Sequence, residues 1–472
     1  MTRVLLTAVA LAVLSPGSHA GEAAVLLQVQ PMPALKPALK YQLLPEVREL
    51  NPGNPAQFYL RCFAEQRNFF FSKEAVAERV RYLSMPLGEL PADQLRDYGG
   101  NALRQADWAA RLDALDWQVL QRVQTDGMGL RMPELGPLRV LAVALQVRLR
   151  GQVAGRHFDD AVVTAKTMFA LSRHLGEHPT VAANLLGLSV ADRPLDTLEE
   201  MVQQPGCPNL YWALTDLPRP LVDQRKGAQG DSASVAVDLR PLRDDAPMTE
   251  AELEKVVSRL SGGIGFAREQ AGQPPRSLRA GLRARVKDPA KVRAARKRLA
   301  EASWADARTA GQGVYQRFDV ALRMQRFPPA QVILLDEKRG YEVRRDEGMK
   351  LLALAPWQID ALADDEKPTT DDGLFAALLP DIIKLRLAQG RLEQRVALLR
   401  HVEALRLYAA AHGGRLPARL SDVSVPLPDD PFSGKPFRYR LDGASAHLFG
   451  SPPRGEEKNP AYNIHCEITI RK

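Results

Sequence analysis

The stretch Leu138-Arg-Val-Leu-Ala-Val-Ala-Leu-Gln-Val-Arg-Leu149 decides the fold class of this chain. Its apolar residues surround a helix axis almost completely, whereas a surface helix carries them on a single stripe. A helix that is apolar on nearly all sides must be buried between neighbours. The stretch therefore predicts a helix at the centre of a helical packing.

Helical spacing continues on both sides of this stretch. Upstream, apolar residues recur every three or four positions at Val76, Val80 and Leu83. Downstream, residues 158–171 and 195–202 keep the same spacing. Helices joined by short connections pack antiparallel, and repeated pairs build a solenoid. We therefore predict a mainly α protein with a solenoid-like, helical repeat-like body.

Two stretches without apolar periodicity divide the chain. Residues 226–248 are rich in Gly, Ser, Asp and Pro, and residues 364–376 open with several acidic residues, a composition typical of linkers. The predicted layout is a signal peptide at 1–20, an N-terminal arm and helical block at 21–225, a linker at 226–248, a second helical block at 249–363, a linker at 364–376 and an α+β module at 377–472.

The pattern changes within the C-terminal module. Residues 378–411 predict one long amphipathic helix, and Gly413-Gly414 end it. Three strands follow: one with alternating Phe437, Tyr439 and Leu441, one at 446–449 and one at 464–470. We expect the apolar stripe of the helix to pack on a small antiparallel sheet.

The N-terminal residues have the three-part layout of a secretory signal peptide. Arg3 supplies the positive charge, Val4–Leu14 the apolar core, and Ser18-His19-Ala20 the small residues before the cleavage site. We predict cleavage after Ala20 and an exported, periplasmic or extracellular protein. An uncleaved anchor is the alternative, although the apolar run is shorter than the roughly 20 residues that span a membrane. The mature chain is expected to have no transmembrane segment.

Composition and charge set further limits. The chain has 472 residues, of which 45% are apolar and 25% charged, as in ordinary globular proteins. The net charge of +8 is mild for this length. It favours weak contact with anionic surfaces and no specific binding of nucleic acid.

Cys62, Cys207 and Cys466 are the only cysteines. An oxidising compartment allows one disulfide with one thiol left over, and the sequence does not choose the pair. The spacing fits no metal motif. Three buried, small apolar side chains is the interpretation that we favour.

The C-terminal module resembles the C-terminal part of type II secretion pseudopilins. The shared features are Ala404-Leu-Arg-Leu-Tyr-Ala-Ala-Ala-His-Gly-Gly-Arg-Leu-Pro417, Asp430-Pro-Phe432, Gly434-Lys-Pro436 and Tyr439. This resemblance implies a long helix that leads through a loop into a small antiparallel sheet. The whole chain also resembles a group of uncharacterised exported bacterial proteins, through residues 155–161, 203–220 and 329–335. That second resemblance implies no activity.

The segment His174-Leu-Gly-Glu-His178 fits the inverted zincin motif. On a helix, the two histidines would lie one turn apart and could share a zinc ion, with Glu177 beside them as a base. Gly176 and Pro179 instead place the segment at a helix end, where a histidine has an electrostatic reason to occur. His174, Glu177 and His178 are the candidate catalytic residues, although we expect no bound metal or cofactor.

Residues 276–298 carry ten basic residues against Asp288 alone. Apolar residues keep helical spacing on both sides of Pro289, so a basic amphipathic helix on an anionic surface is one interpretation. A solvated helix face whose stripe packs on the core is the interpretation that we favour. No aromatic residue lies among the charges to stack on bases. The candidate basic patch is Arg279, Arg283, Arg285, Lys291, Arg293, Arg296, Lys297 and Arg298.

No catalytic set of Ser, His and Asp and no phosphate-binding loop can be assembled from the sequence. We therefore expect a non-enzymatic protein of the cell envelope that acts in protein–protein interaction or as a scaffold. The alternatives are a zinc-dependent envelope hydrolase at 174–178 and an anionic-surface binder at 276–298.

Overall fold

The computed structural model describes residues 24–64, 66–270, 274, 276–309, 322–362 and 373–471. These residues form a mainly helical structure with a small four-stranded sheet built largely from the C-terminus. This confirms the predicted fold class, mainly α with a small α+β module. The predicted signal peptide at 1–20 and most of the predicted linker at 364–376 lie outside the described residues.

The first helical block extends to residue 215. Its helices are α1 (Pro55–Arg61), α2 (Arg67–Phe71), α3 (Lys73–Ser84), α4 (Ala92–Leu95), α5 (Gly100–Ala109), α6 (Leu120–Asp126), α7 (Leu135–Ala154), α8 (Phe158–Gly176), α9 (Val181–Met201) and α10 (Tyr211–Thr215). Side chains before the helices fix several starts. Asn54 accepts a hydrogen bond from the Ala56 N–H at the start of α1, and Ser72 accepts one from the Ala75 N–H of α3.

Helix α7 lies at the centre of this block, as its apolar pattern predicted. Leu141 and Leu145 are fully buried in a core shared with α8 and α9. Two of its arginines are buried as well. The Arg148 guanidinium donates to both carboxylate oxygens of Asp107 on α5, at 3.0 and 2.6 Å. Arg150 donates in the same way to Glu200 on α9, at 2.8 Å for each bond. Each carboxylate neutralises a buried guanidinium, whose burial without a partner would cost a large free energy.

Helix α3 forms as its spacing predicted, with its two valines facing outward. Val76 and Val80 face solvent with 45% and 62% of their surface exposed, whereas Arg79 and Tyr82 are buried. The Arg79 guanidinium donates to the carbonyl oxygens of Phe69 and Phe70 in α2. Carbonyls in the last turn of a helix have no partner within it. Arg79 therefore occupies the inward side of α3, and the two valines lie on its outward side.

The second helical block has a core of its own. Its helices are α11 (Arg225–Leu239), α12 (Glu250–Gln270), α13 (Leu278–Val286), α14 (Pro289–Thr309), α15 (Pro329–Leu351) and α16 (Pro356–Leu362). Helix α11 occupies most of the stretch 226–248 that was predicted to be a linker. A Cβ atom at Gly230 would lie 2.1 Å from the carbonyl oxygen of Pro179. The glycines that suggested a linker therefore allow close contact between α11 and the start of α9.

Helix α17 (Ile382–Ala411) leads into the sheet. It ends at Gly413 and Gly414, whose φ angles are 64° and 81°, and the Gly414 N–H donates to the Ala409 carbonyl oxygen. The strands are β1 (Val25–Val29), β2 (Arg438–Asp442), β3 (Ser445–Phe449) and β4 (His465–Ile470), in the order β1-β4-β3-β2.

The sheet is mixed, whereas the sequence predicted only antiparallel pairing. Strands β2, β3 and β4 pair antiparallel, as expected. Strand β1 joins the edge of β4 in parallel. Its Leu27 and Val29 are buried, while Leu26 between them is 64% exposed. This alternation lets a strand from the N-terminal arm extend the sheet and add Leu27 and Val29 to its buried face.

Helix α17, the sheet and α7–α9 share one core. Leu398, Val402 and Leu405 of α17 belong to the same buried cluster as Leu145 of α7 and Ile468 of β4. The limits of the independently folding units stay a prediction. No helix in the described part of the chain is long and apolar enough to cross a membrane.

Candidate functional site

The His174–His178 segment ends one helix and leads into the next. Helix α8 stops at Gly176, and Thr180 caps α9 by accepting a hydrogen bond from the Ala183 N–H at 3.4 Å. Because His178 lies in the turn after α8, the two histidines are not presented from one uninterrupted helix. The geometry that the motif needs for zinc is therefore not formed by the local backbone.

His174 is held by contacts with the N-terminal helices. Its Nδ1 lies 3.0 Å from the Tyr59 hydroxyl, and its carbonyl oxygen accepts a hydrogen bond from the Trp117 indole. Burial lowers the pKa of His174 to about 4, so its ring is neutral at neutral pH. Glu177 is exposed, and its carboxylate lies 3.1 Å from Lys226 Nζ. The predicted base thus pairs with a surface lysine.

His178 is fully buried in a different environment. Its Nδ1 lies 2.9 Å from Thr180 Oγ1, and its Nε2 lies 3.5 Å from the Glu134 carboxylate. The Trp117 ring packs against it at a centroid distance of 5.5 Å. The side chains of the three candidate catalytic residues therefore bond to different groups, although Trp117 contacts both histidines. Across the ranges that the structure describes, no group of three or more His, Cys, Asp or Glu side chains is placed to hold a metal ion.

The basic patch lies on α13 and α14, and part of it bonds to neighbouring elements. Leu282 and Ala295 are buried in the second core, as the apolar spacing predicted. The bonded members are Arg279 with Glu254 and Ser258, Arg285 with Glu337, Arg296 with the Phe327 carbonyl oxygen, and Arg298 with Asp336. These bonds attach the two helices to α12 and α15.

The remaining basic residues of α13 and α14, which we call the outer row, have a different environment. Arg283, Lys291 and Arg293 are exposed, together with Lys287 between them. None of these four side chains forms an ion pair with another described residue. Lys297 is 77% exposed and lies 3.9 Å from Glu301. The patch that remains available to an anion is therefore this outer row.

The outward side of α3 carries an apolar stripe formed by Phe71, Val76 and Val80. Their exposed fractions are 40%, 45% and 62%. Val76 and Val80 are four residues apart, so their side chains lie on the same side of the helix, and Phe71 ends the preceding helix. We call these three residues the α3 stripe.

A histidine pair lies on the outer face of the sheet. His447 Nδ1 on β3 and His465 Nε2 on β4 are 3.0 Å apart. The Phe449 ring stacks on His465 at a centroid distance of 4.3 Å, and the Arg438 guanidinium lies 5.3 Å from the Phe449 ring. Alternation with buried residues in each strand would have placed both histidines outside. Their proximity depends on the strand register, which the sequence does not state.

The three cysteines are buried and free. Burial raises the pKa of Cys62, Cys207 and Cys466 to about 12. The reactive thiolate forms are therefore scarce at neutral pH. This matches their interpretation as small apolar side chains.

Two concavities lie away from these features. One of about 450 Å³, between α11 and α15, is lined by charges of both signs: Arg240, Arg243, Asp244, Asp245, Lys338, Glu342 and Arg345. The other, of about 60 Å³, lies between α17 and the segment 217–222. The charged lining of the first selects no single class of ligand.

No known protein family, curated protein or solved structure matches this chain.

Proposed function

We propose that this chain is an exported, non-enzymatic protein of the cell envelope that binds a partner protein through the α3 stripe. The observation that carries the proposal is the exposure of Phe71, Val76 and Val80, of which the two valines lie one turn apart on α3. Single exposed apolar residues are common on protein surfaces, but adjacent ones often belong to interaction sites.

The spacing of the two valines on α3 is that of a helix whose apolar side binds in a groove of another protein. Apolar side chains one turn apart are the anchors by which amphipathic helices bind apolar grooves of other proteins. The inward side of α3 is already engaged, since Arg79 and Tyr82 are buried and Arg79 is bonded to α2. The stripe is therefore free to serve a partner without loss of internal packing.

The binding test compares two charge insertions. The double variant Val76→Glu/Val80→Glu is used beside Val163→Glu, which alters an exposed valine on α8 (42% exposed) away from the stripe. After capture from an envelope extract, a partner should be retained by the wild type and by Val163→Glu and lost by the double variant. The same captured proteins with all three chains would contradict the proposal.

Export rests on the sequence of residues 1–20. Mass spectrometry of the protein isolated from its native host should find Gly21 as the first residue, in the envelope or medium fraction. A chain that begins at Met1 in the cytosolic fraction would contradict export and leave the α3 stripe unaffected.

A second candidate function is binding to an anionic surface through Arg283, Lys287, Lys291 and Arg293. It is supported by their exposure and by the absence of ion pairs to other described residues. Such binding should weaken as salt is added, because exposed charges are screened.

Sedimentation with vesicles that contain phosphatidylglycerol tests this candidate. The variant Lys287→Glu/Lys291→Glu should lose binding, whereas Lys458→Glu, an exposed lysine of the C-terminal module, should bind nearly as well as the wild type. Equal loss in both variants would mean that only the net charge acts.

We do not extend the proposal to a zinc hydrolase. Glu177 pairs with Lys226, and His174 and His178 are occupied by Tyr59 and Thr180. A hydrolytic site would need these groups to converge on one ion and one water molecule.

A further inference from the structure

The histidine pair joins two neighbouring strands on one face of the sheet. In the register of β3 and β4, Phe449 lies opposite His465 and His447 lies opposite Glu467. His447 and His465 are therefore diagonal neighbours, a position from which long side chains on antiparallel strands can meet. Both are half-buried, so their rings remain accessible from solvent.

The ring orientations are set by neighbouring side chains. Phe449 stacks nearly parallel on His465, with an angle of 14° between the rings, and Arg438 lies over Phe449. This stack restricts rotation of His465 and holds its Nε2 towards His447 Nδ1. Ligands held in place by their surroundings lose less entropy when they bind an ion.

The separation of the two nitrogens suits neighbouring ligands of one metal ion. Metal–nitrogen bonds of about 2.0–2.1 Å that meet at a square or tetrahedral angle place two nitrogens roughly 2.9–3.4 Å apart. The observed distance is 3.0 Å. We propose that His447 and His465 form a two-histidine site for a transition-metal ion that prefers imidazole, such as Cu²⁺ or Zn²⁺.

Binding requires a change of tautomer and no loss of protons from neutral rings. One of the two facing nitrogens now carries the hydrogen of their hydrogen bond. On binding, that ring carries its hydrogen on the other nitrogen, and the rings turn so that both facing lone pairs converge on the metal ion.

The remaining coordination positions belong to water or to a bound partner. No third His, Cys, Asp or Glu completes a metal-binding group with the pair among the described residues. His447 lies between Glu467 of β4 and Arg440 of β2 in the strand register, so one charge of each sign flanks it. A site with two protein ligands is open, and it could link the sheet to a histidine or carboxylate of another molecule.

Titration of the untagged full chain with Cu²⁺ tests the site. Electron paramagnetic resonance of the first equivalent should show two coordinating nitrogens. His447→Gln and His465→Gln should each reduce the affinity at least tenfold and leave at most one such nitrogen. His412→Gln is the matched control, because His412 is exposed and stacks only on Tyr408.

Several results would overturn the proposal. Wild-type protein with fewer than two coordinating nitrogens would do so, and this measurement does not depend on whether either variant folds. A folded His447→Gln variant that binds Cu²⁺ as the wild type does would also overturn it, as would equal loss in His412→Gln. Zn²⁺ titration by calorimetry should reproduce the same ranking of the four proteins.

Discussion

At the scale of single residues, Arg406 connects segments that are far apart in the sequence. Its fully buried guanidinium donates to the Glu403 carboxylate at 2.8 Å and to the carbonyl oxygens of Gln30, Cys207 and Pro208 at 2.7–3.3 Å. One side chain thus holds the N-terminal arm, the segment after α9 and α17. Burial raises the pKa of Glu403, although the guanidinium opposes this.

Arg406→Met should destabilise the protein by about 3–5 kcal/mol, because it leaves the Glu403 carboxylate buried without its cation. The double variant Arg406→Met/Glu403→Leu should recover part of this loss, since it removes the unpaired charge. Urea unfolding followed by circular dichroism measures both. A double variant less stable than the single one would show that the carbonyl contacts, and not the ion pair, dominate.

Because of His401, the free energy of unfolding should decrease as the pH is lowered. Burial against Phe437 lowers its pKa to about 4, below the value of about 6.5 in an unfolded chain. Between these values the unfolded chain binds more protons. The stabilisation is therefore complete above pH 6.5 and is lost as the pH falls towards 4, by a total on the order of 3 kcal/mol.

His401→Asn tests this dependence. The asparagine amide can still donate to the Ala397 carbonyl oxygen that His401 Nδ1 contacts at 2.8 Å. The free energy of unfolding, measured by urea at several pH values from 8 to 4.5, should fall less steeply for the variant than for the wild type. His412→Asn should follow the wild type. Parallel curves for His401→Asn and the wild type would contradict the assignment.

At the scale of elements, α3 shows the limit of periodicity. The spacing of Val76 and Val80 correctly predicted a helix, but it could not exclude that this face points outward. Arg79 and Tyr82 occupy the inward side because Arg79 bonds to α2, which is a tertiary contact. Sequence patterns predict an element better than its rotation when a buried polar group competes with an apolar stripe.

The rotation of α3 is testable by stability alone. Val80→Glu should change the free energy of unfolding by less than about 0.5 kcal/mol, as surface substitutions usually do. Tyr82→Ala, two residues away, should cost about 3–5 kcal/mol because it removes a buried aromatic ring. Chemical denaturation measures the free energy of unfolding of the two variants. A larger loss for Val80→Glu than for Tyr82→Ala would place the valines in the core.

Other elements could be predicted because their signals are local. The all-round apolar pattern of α7, the Gly413-Gly414 helix end and the strands β2 and β3 each depend on a few neighbouring residues. The parallel pairing of β1 with β4 depends on two segments at opposite ends of the chain. The histidine pair was missed for the same reason, since it exists only through strand register.

The site candidates at 174–178 failed to converge for a physical reason. Motif spacing assumes that a helix continues through all five residues, but α8 stops at Gly176. The His178 ring then bonds to the Thr180 hydroxyl in the turn, and the Glu177 carboxylate is exposed to solvent beside Lys226. The basic patch stays a prediction, and only the structure separates its bonded members from the outer row.

At the scale of the whole molecule, a cut in the predicted linker should not separate the two pieces. Limited proteolysis is expected between Asp364 and Asp372, where the sequence is acidic and carries Pro368. The C-terminal piece should stay bound through α17, whose Arg395 donates to Asp192, Asp196 and Glu199 of α9 at 2.7–3.1 Å.

Size-exclusion chromatography of the cleaved protein measures this. The two pieces should co-elute in buffer and separate in urea. A C-terminal piece that elutes alone without denaturant would show that the module folds independently of α7–α9. Absence of cleavage in this stretch would contradict the predicted linker.

The pairing of β1 with β4 also sets the order of events during synthesis. Val25–Val29 leave the ribosome long before His465–Ile470, the strand with which they pair in the described part of the chain. The part of the main core that β4 supplies, Cys466 and Ile468, can therefore close only after that strand is made. Until then the sheet is incomplete, and an incompletely folded chain is what the export that we propose would require.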